Sequence, residues 1–351
     1  MNNLSSSLPF DICKHNLRRL QRLSVSFNEL YGEIPSSLEH CSQLEYLSLY
    51  NNNFSGHVPK QIGNLTLLQK LYLGANNLNG NIPKEISALA NLQALDMSSN
   101  NFIGLMPSEI GNLTMLQSLD LDNNMLSGII PKEMSALANL QYLDMGINKF
   151  SGLVPSEIGN LTMLQLLLLD SNMLSGIIPK EISALANLQS LNMSTNKFSG
   201  SVPSEIGNLT MLQFLDLENN MLSGNIPKEI THLSNLRVLV MRSNKLSGSL
   251  PKEIGNMTSL TNLLFNKNEL SGHIPSGIFL LNNLYQLEIG NNRLGGSLPR
   301  EIGNTTISNV LLDYNNLSGP IPSTFVKRSK LLNLVLYSNN LSDSLGAFHL
   351  L

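Results

Sequence analysis

The chain has no tryptophan, two cysteines and little charge: of its 351 residues, 5% are aromatic and 13% are Asp, Glu, Lys or Arg. Two cysteines, Cys13 and Cys41, are too few for the disulfide framework of a small secreted domain, and spacing alone leaves their pairing open. A net charge of -3 provides no basic field, which argues against nucleic acid or an anionic membrane as partner. No apolar run approaches the roughly 20 residues of a membrane span, and Met1 is followed by a polar stretch, not a signal-peptide core. The histidines (His15, His40, His57, His232, His273 and His349) share no metal-ligand spacing with the cysteines, and no phosphate-loop lysine follows the glycines at 290–296. Catalytic residues, a metal and a cofactor are therefore not expected.

What the chain has in abundance is repetition. Residues 82–129, 130–177 and 178–225 are near-copies of one 48-residue segment, and each copy is two 24-residue units. One unit carries S-A-L-A-N-L-Q (87–93, 135–141, 183–189) and the other G-N-L-T-M-L-Q (111–117, 159–165, 207–213). Both follow the frame L-x-x-L-x-L-x-x-N-x-L-x-G-x-I-P, which reads as a leucine-rich-repeat solenoid. Prolines recur at intervals of 24 from Pro35 to Pro299, then one residue is lost in 303–307 and the next is Pro322. The expected organisation is one elongated domain over 1–351: a partial leading repeat (1–16, with Asn2, Leu4, Leu8 and Pro9), about fourteen repeats (17–346) and a tail (347–351). In the last repeat Asp343 and Gly346 replace the expected Gly and Pro.

Each position of the frame has a physical task. Pairs such as Leu119 and Leu121 alternate with outward residues as a strand requires, so stacked repeats build a parallel sheet on the concave side. The asparagine column from Asn28 to Asn339 stands where the chain leaves the sheet, and an amide side chain there satisfies both N–H and C=O groups that lose their ladder partners. Glycines from Gly32 to Gly319 suit a turn at positive φ. The Ile-Pro or Val-Pro step that follows favours extended backbone and a second short sheet. The E-I-x-x-L segment then packs on the convex side as a 3₁₀ or short helical turn. The expected fold class is α/β, a right-handed leucine-rich-repeat superhelix.

Glycosylation acceptors N-x-S/T are frequent, and Asn64, Asn112, Asn160, Asn208, Asn256 and Asn304 occupy one slot of the repeat at 48-residue intervals. Modification in one line along one edge points to the secretory route.

The frame together with G-N-L-T between units resembles the plant-specific class of extracellular leucine-rich repeats, over residues 2 to about 346. The opening L-P-F-D-I-C-K-H-N-L-R-R-L-Q-R-L (8–23) and I-P-S-S-L-E-H-C-S-Q-L-E-Y-L-S-L (34–49) resemble the ectodomain of receptor kinases related to the plant receptors for bacterial flagellin and elongation factor Tu. That resemblance implies glycosylated repeats outside the plasma membrane, a peptide or protein ligand, a co-receptor with short leucine-rich repeats, and immune or developmental signalling such as plant defense. The signal peptide, cysteine-paired caps, membrane helix and Ser/Thr kinase of such a receptor have no counterpart here. The chain is expected to be a fragment or truncated relative, secreted or apoplastic.

The near-copies show which columns diverged after duplication. Six of ten differences between the first two copies, and eight of eleven between the second and third, fall in the eight outward slots on and just after the strands. The exposed P-K-E-I-S-A-L-A-N segment barely changes, so exposure alone does not explain the pattern. The candidate ligand contacts are Tyr72, Asp96, Asp120, Asp122, Tyr142, Asp144, Leu166, Leu168, Asp170, Phe214, Asp216, Glu218, Val238, Val240 and Arg242. Apolar residues at outward slots, Leu166, Leu168, Val238 and Val240 among them, are expected to form an exposed patch, and a basic peptide with apolar anchors would suit the face. Two other uses of such a scaffold are a secreted inhibitor of a pathogen cell-wall-degrading enzyme and a structural or ice-surface binder. The first would be shorter and doubly capped; the second would need uniform outward columns.

Overall fold

The computed structural model describes residues 3–13, 17, 19–326 and 331–342. The tail 347–351, Asn2, His15, His349 and the departures at Asp343 and Gly346 lie outside the described residues. The chain falls into two compact units, Met1–Leu174 and Ser175–Leu351.

In the first unit, the L-x-L segments form three-residue strands from Arg22–Ser24 to Leu166–Leu168, each parallel to the next. In Ser118–Asp120 the central Leu119 is fully buried and its two neighbours are half-buried. The same alternation holds in Ala94–Asp96, Tyr142–Asp144 and Leu166–Leu168. A fully buried leucine contributes about 1.5–3 kcal/mol, and because strands register residue for residue, these leucines make one continuous column.

Two residues beyond each strand the backbone leaves the sheet, and the asparagine column fills the gap as the frame predicts. Asn124 Nδ2 donates to the carbonyls of Met97 (3.0 Å), Leu121 (3.2 Å) and Asp122 (3.1 Å), while its Oδ1 accepts from the Phe102 N–H at 3.0 Å. One amide thus joins the previous coil to its own.

The residue before each asparagine lies in the left-handed region, Ser99 at φ 49°, Asn123 at 53° and Ile147 at 44°, a feature the frame does not predict. The glycines of the frame behave as expected, with Gly104 at φ 80°. A second parallel sheet follows, from Tyr31–Glu33 through Lys149–Gly152.

The helical part of every described repeat is a short 3₁₀ turn. In Ser108–Asn112, Pro107 at φ -66° and ψ 133° leads in, and the Leu113 N–H closes on the Ile110 carbonyl. Gly111 is required for close stacking, because a Cβ there would collide with the backbone carbonyl of Glu133 in the next coil.

Cys13 and Cys41, whose pairing the spacing left open, form a disulfide with Cα atoms 5.1 Å apart.

The second unit repeats the plan, from Ser190–Asn192 to Asn333–Val335 in the first sheet and from Lys197–Gly200 to Asn340–Ser342 in the second. Where one residue is lost after Asn304, the buried Thr305 Oγ1 accepts from the Ile307 N–H at 3.2 Å, and Gln286 still registers with Asn309. A side-chain hydroxyl replaces the missing backbone partner.

Candidate ligand-binding face

The outward residues of the first sheet come together in registered rows. In the first unit one row runs Tyr72, Asp96, Asp120, Asp144, Leu168, and its neighbour holds Tyr142 beside Leu166. Asp122 and Asp170 stand two residues beyond their strands.

Each strand-end aspartate has one local duty. Asp96 Oδ1 accepts from the N–H and the hydroxyl of Ser98 at 2.9 and 2.7 Å. Asp120 Oδ1 accepts from the Asp122 N–H at 3.1 Å, and Asp144 Oδ1 from the Gly146 N–H at 3.0 Å. This is the Asx turn that steers the chain off the strand, so these aspartates have a structural role independent of any ligand. Their second oxygens are available for other contacts, and Asp144 Oδ2 takes the Tyr142 hydroxyl at 3.0 Å.

Carboxylates crowd around Gly146. A Cβ built there would lie 3.1 Å from Asp122 Oδ1, 3.1 Å from Asp170 Oδ1 and 3.2 Å from Asp144 Oδ1. Burial, with Asp96, Asp144 and Asp122 adding repulsion, pushes Asp120 up to about 7. Burial and then Asp144 and Asp170 push Asp122 up to about 6. Asp96, Asp144 and Asp170 are raised too, chiefly by burial. The Tyr142 hydroxyl is raised by burial and by the carboxylates around it. Gathering like charges costs free energy that a cationic partner would recover.

The apolar members differ from expectation at one point. Leu166, Leu168, Phe214 and Val238 are half-buried outward residues. Val240 is 5% exposed and belongs to the buried set. It registers between Asp216 and Leu264, and a short branched side chain between longer neighbours is covered by them, so it adds nothing to an exposed patch.

In the second unit the Asp216 Oδ1 accepts from the Glu218 N–H at 2.8 Å, and Arg242 is not a free cation, since its Nε lies 2.6 Å from Glu218 Oε2. Tyr72 packs against Tyr46 with ring centroids 5.6 Å apart.

Two features escaped the sequence reading. Ile147, at positive φ, is 49% exposed beside the carboxylates. On the flank of the second sheet, Leu105, Ile129 and Leu153 are 62–66% exposed and line an apolar groove of about 820 Å³ together with Met106, Ile130 and Pro155. The available signal was the column before I/V-P, which is apolar in the first two copies and becomes Ser201 and Asn225 in the third.

Comparison with known proteins agrees with this architecture. Models described as leucine-rich repeat match residues 18–78 and 90–150, and that of a leucine-rich repeat region matches 124–248 and 170–292. A 58-residue stretch is 48% identical to Receptor-like protein kinase 7 of Arabidopsis thaliana, covering 16% of this chain and 6% of that protein. Among solved structures, the plant peptide hormone receptor RGFR1 in complex with RGF2 superposes with a TM-score of 0.94 at 36% identity, over 97% of this chain and 58% of that one. The Arabidopsis receptor kinase HAESA, in complex with the peptide hormone IDA and the co-receptor SERK1, matches at 34% identity and a TM-score of 0.86, over all of this chain and 63% of that one. The chain thus spans less than two thirds of either of these two receptor chains. On these grounds the chain belongs to the leucine-rich-repeat family, within the class of plant receptor ectodomains.

Proposed function

We propose that the outward face of the first sheet is a non-catalytic recognition surface for a cationic peptide or protein segment with apolar anchors. The observation that carries this reading is the cluster of Asp122, Asp144 and Asp170 around Gly146, beside Tyr142, Leu166 and Leu168. An ammonium or guanidinium group would relieve the carboxylate repulsion while leucine-sized anchors cover the apolar slots. Phe214, Asp216, Glu218 and Val238 offer the second unit the same combination. Tyr72 and Arg242 border these sections.

A setting outside the cell fits the Cys13–Cys41 bridge, since disulfides persist in oxidising compartments. The apoplast, in a plant immune or developmental pathway, is the assignment favoured by resemblance. The neighbouring structures hold peptide hormones, and one holds a co-receptor; a peptide ligand and a co-receptor with short leucine-rich repeats are proposed here by analogy. The varied outward columns oppose an ice-surface role.

The test is calorimetric titration with two panels of synthetic peptides of matched leucine content, one bearing Arg and Lys and the other Asp and Glu. Binding confined to the basic panel and weakened by salt is expected. Equal binding of both panels, or of neither, overturns the reading.

A further inference from the structure

The outward rows of the first unit change sign along the repeats. Among the described strands of the first sheet, Arg22 and Lys70 are the only cationic residues, and both stand near its first strand. One registered row runs Arg22, Tyr46, Lys70, Ala94, and the other Ser24, Ser48, Tyr72, Asp96. The outward carboxylates of these rows begin only at Asp96. A basic section therefore precedes the acidic one on the same face.

The basic section is held in place by aromatic rings. Arg22 Cζ lies 3.8 Å from the centroid of the Tyr46 ring, which itself packs on Tyr72. Just beyond two of these strands, Phe27 and Tyr50 meet edge-on with centroids 5.4 Å apart. A guanidinium stacked on a ring keeps its N–H groups in its own plane, pointing past the ring, where two of them fit the two oxygens of a carboxylate. Stacking also fixes the side chain beforehand, which lowers the entropy lost on binding. The Tyr72 hydroxyl is raised, chiefly by burial and then by Tyr46 and Asp96, so it remains a donor at neutral pH. Other arginines are already occupied, Arg242 by Glu218 and Arg293 by Glu269. Arg22 and Lys70 are exposed and, among the described residues, neither forms an ion pair, with Glu45 and Asp96 both out of reach.

We propose that Arg22 and Lys70, with Tyr46 between them, hold a carboxylate of the same ligand whose basic group reaches the aspartates around Gly146. The inference rests on the recognition reading above and deepens it, since the ligand becomes a peptide carrying two opposite charges at a set distance. From Tyr46 to Tyr142 the row advances four strands, about 19 Å at the usual strand spacing. An extended peptide covers that distance in about six residues. Ala94 and Ser118, which lie on the way, have small side chains and leave the passage open. A uniformly basic peptide laid along the face would instead bring like charge against Arg22 and Lys70, so the basic section selects against it.

Calorimetry on the full chain and on R22Q/K70Q tests the idea. The probes are leucine-containing peptides with capped ends, carrying arginine and, about six residues away, either glutamate or glutamine, made in both chain directions. The glutamate peptide is expected to bind the parent about fivefold tighter than the glutamine peptide in one of the two directions. R22Q/K70Q should lose that gain yet bind the glutamine peptide no more weakly than the parent does, which also shows that the variant is folded. A further peptide places a free C-terminal carboxylate at the same distance: a gain from glutamate assigns the site to an acidic side chain, and a gain from the free end alone assigns it to a chain terminus. No gain from either carboxylate, or a gain that R22Q/K70Q keeps, overturns the proposal, and a glutamine peptide that still binds leaves the earlier reading standing. A glutamate peptide that needs Arg22 and Lys70 but binds equally well without its arginine would sink the earlier reading alone. Absence of binding by every peptide overturns both.

Discussion

The phenolic hydroxyl of Tyr142 donates to Oδ2 of Asp144, 3.0 Å away at the other end of the same three-residue strand. Asp144 is raised by burial, and this bond and the one from the Gly146 N–H pull it back down. Tyr142→Phe removes the hydroxyl and keeps the ring, so the Asp144 carboxyl should titrate higher than in the parent. Carbon-detected NMR titration of the aspartates checks this; an unchanged Asp144 would mean that the bond does not form in solution.

Aspartates raised by burial and by one another make stability fall as pH rises. The folded pKa of Asp120, about 7, lies above its ordinary value of 3.8. The associated stabilisation is therefore complete below about pH 4 and disappears as pH climbs through about 7. Asp120→Asn should flatten that decline and stabilise the chain at pH 8 by about 2 kcal/mol or less, the bound reflecting solvent screening of a partly exposed carboxylate. Urea unfolding from pH 4 to 8 in both proteins is the measurement. Binding of a basic peptide should strengthen over the same range, the opposite trend.

Ile147 holds φ at 44°, where a β-branched side chain crowds its own backbone. Asn51, Asn123, Asn219 and Asn291 occupy the equivalent slot in other repeats at φ 53–54°. Ile147→Asn should stabilise the chain by about 1 kcal/mol in denaturant unfolding. A loss of stability would mean that the isoleucine is held by contacts worth more than the strain.

Asn124→Ala leaves the Phe102 N–H without its acceptor and takes one of two amide donors from each of the Met97 and Leu121 carbonyls, which keep Asn100 and Asn148, at a cost of about 2 kcal/mol. Asn124→Asp should do no better at neutral pH, because a carboxylate accepts from Phe102 but donates to neither carbonyl. Unfolding midpoints of the two variants against the parent decide it.

The residue types that declare the fold are those with one physical task each. Leu119 must be buried, Asn124 must both donate and accept, and Gly104 must take positive φ, so all three are legible in the frame. Ile147 is not, because its left-handed conformation is imposed by the path of the chain, and Ala, Ser, Thr, Asn and Ile all fill that slot. The burial of Val240 is not legible in the frame either, because it depends on Asp216 and Leu264, partners 24 residues away on either side. The Cys13–Cys41 bridge depends on how the leading segment folds back, which no repeat period encodes. At the candidate face, column divergence identified Asp122, Asp144 and Asp170, whereas their convergence at Gly146 needed the backbone.

Recognition by this face is tested most directly by titrating the basic leucine-containing peptides against three proteins: the parent chain, D122N/D170N and L166S/L168S. The two double variants remove charge and apolar anchors separately. The account predicts that a peptide bound by the parent loses about tenfold or more in affinity to each variant, some 1.4 kcal/mol apiece, and that only the charge variant loses its salt dependence. A peptide bound equally well by all three proteins would place recognition elsewhere on the molecule and contradict it.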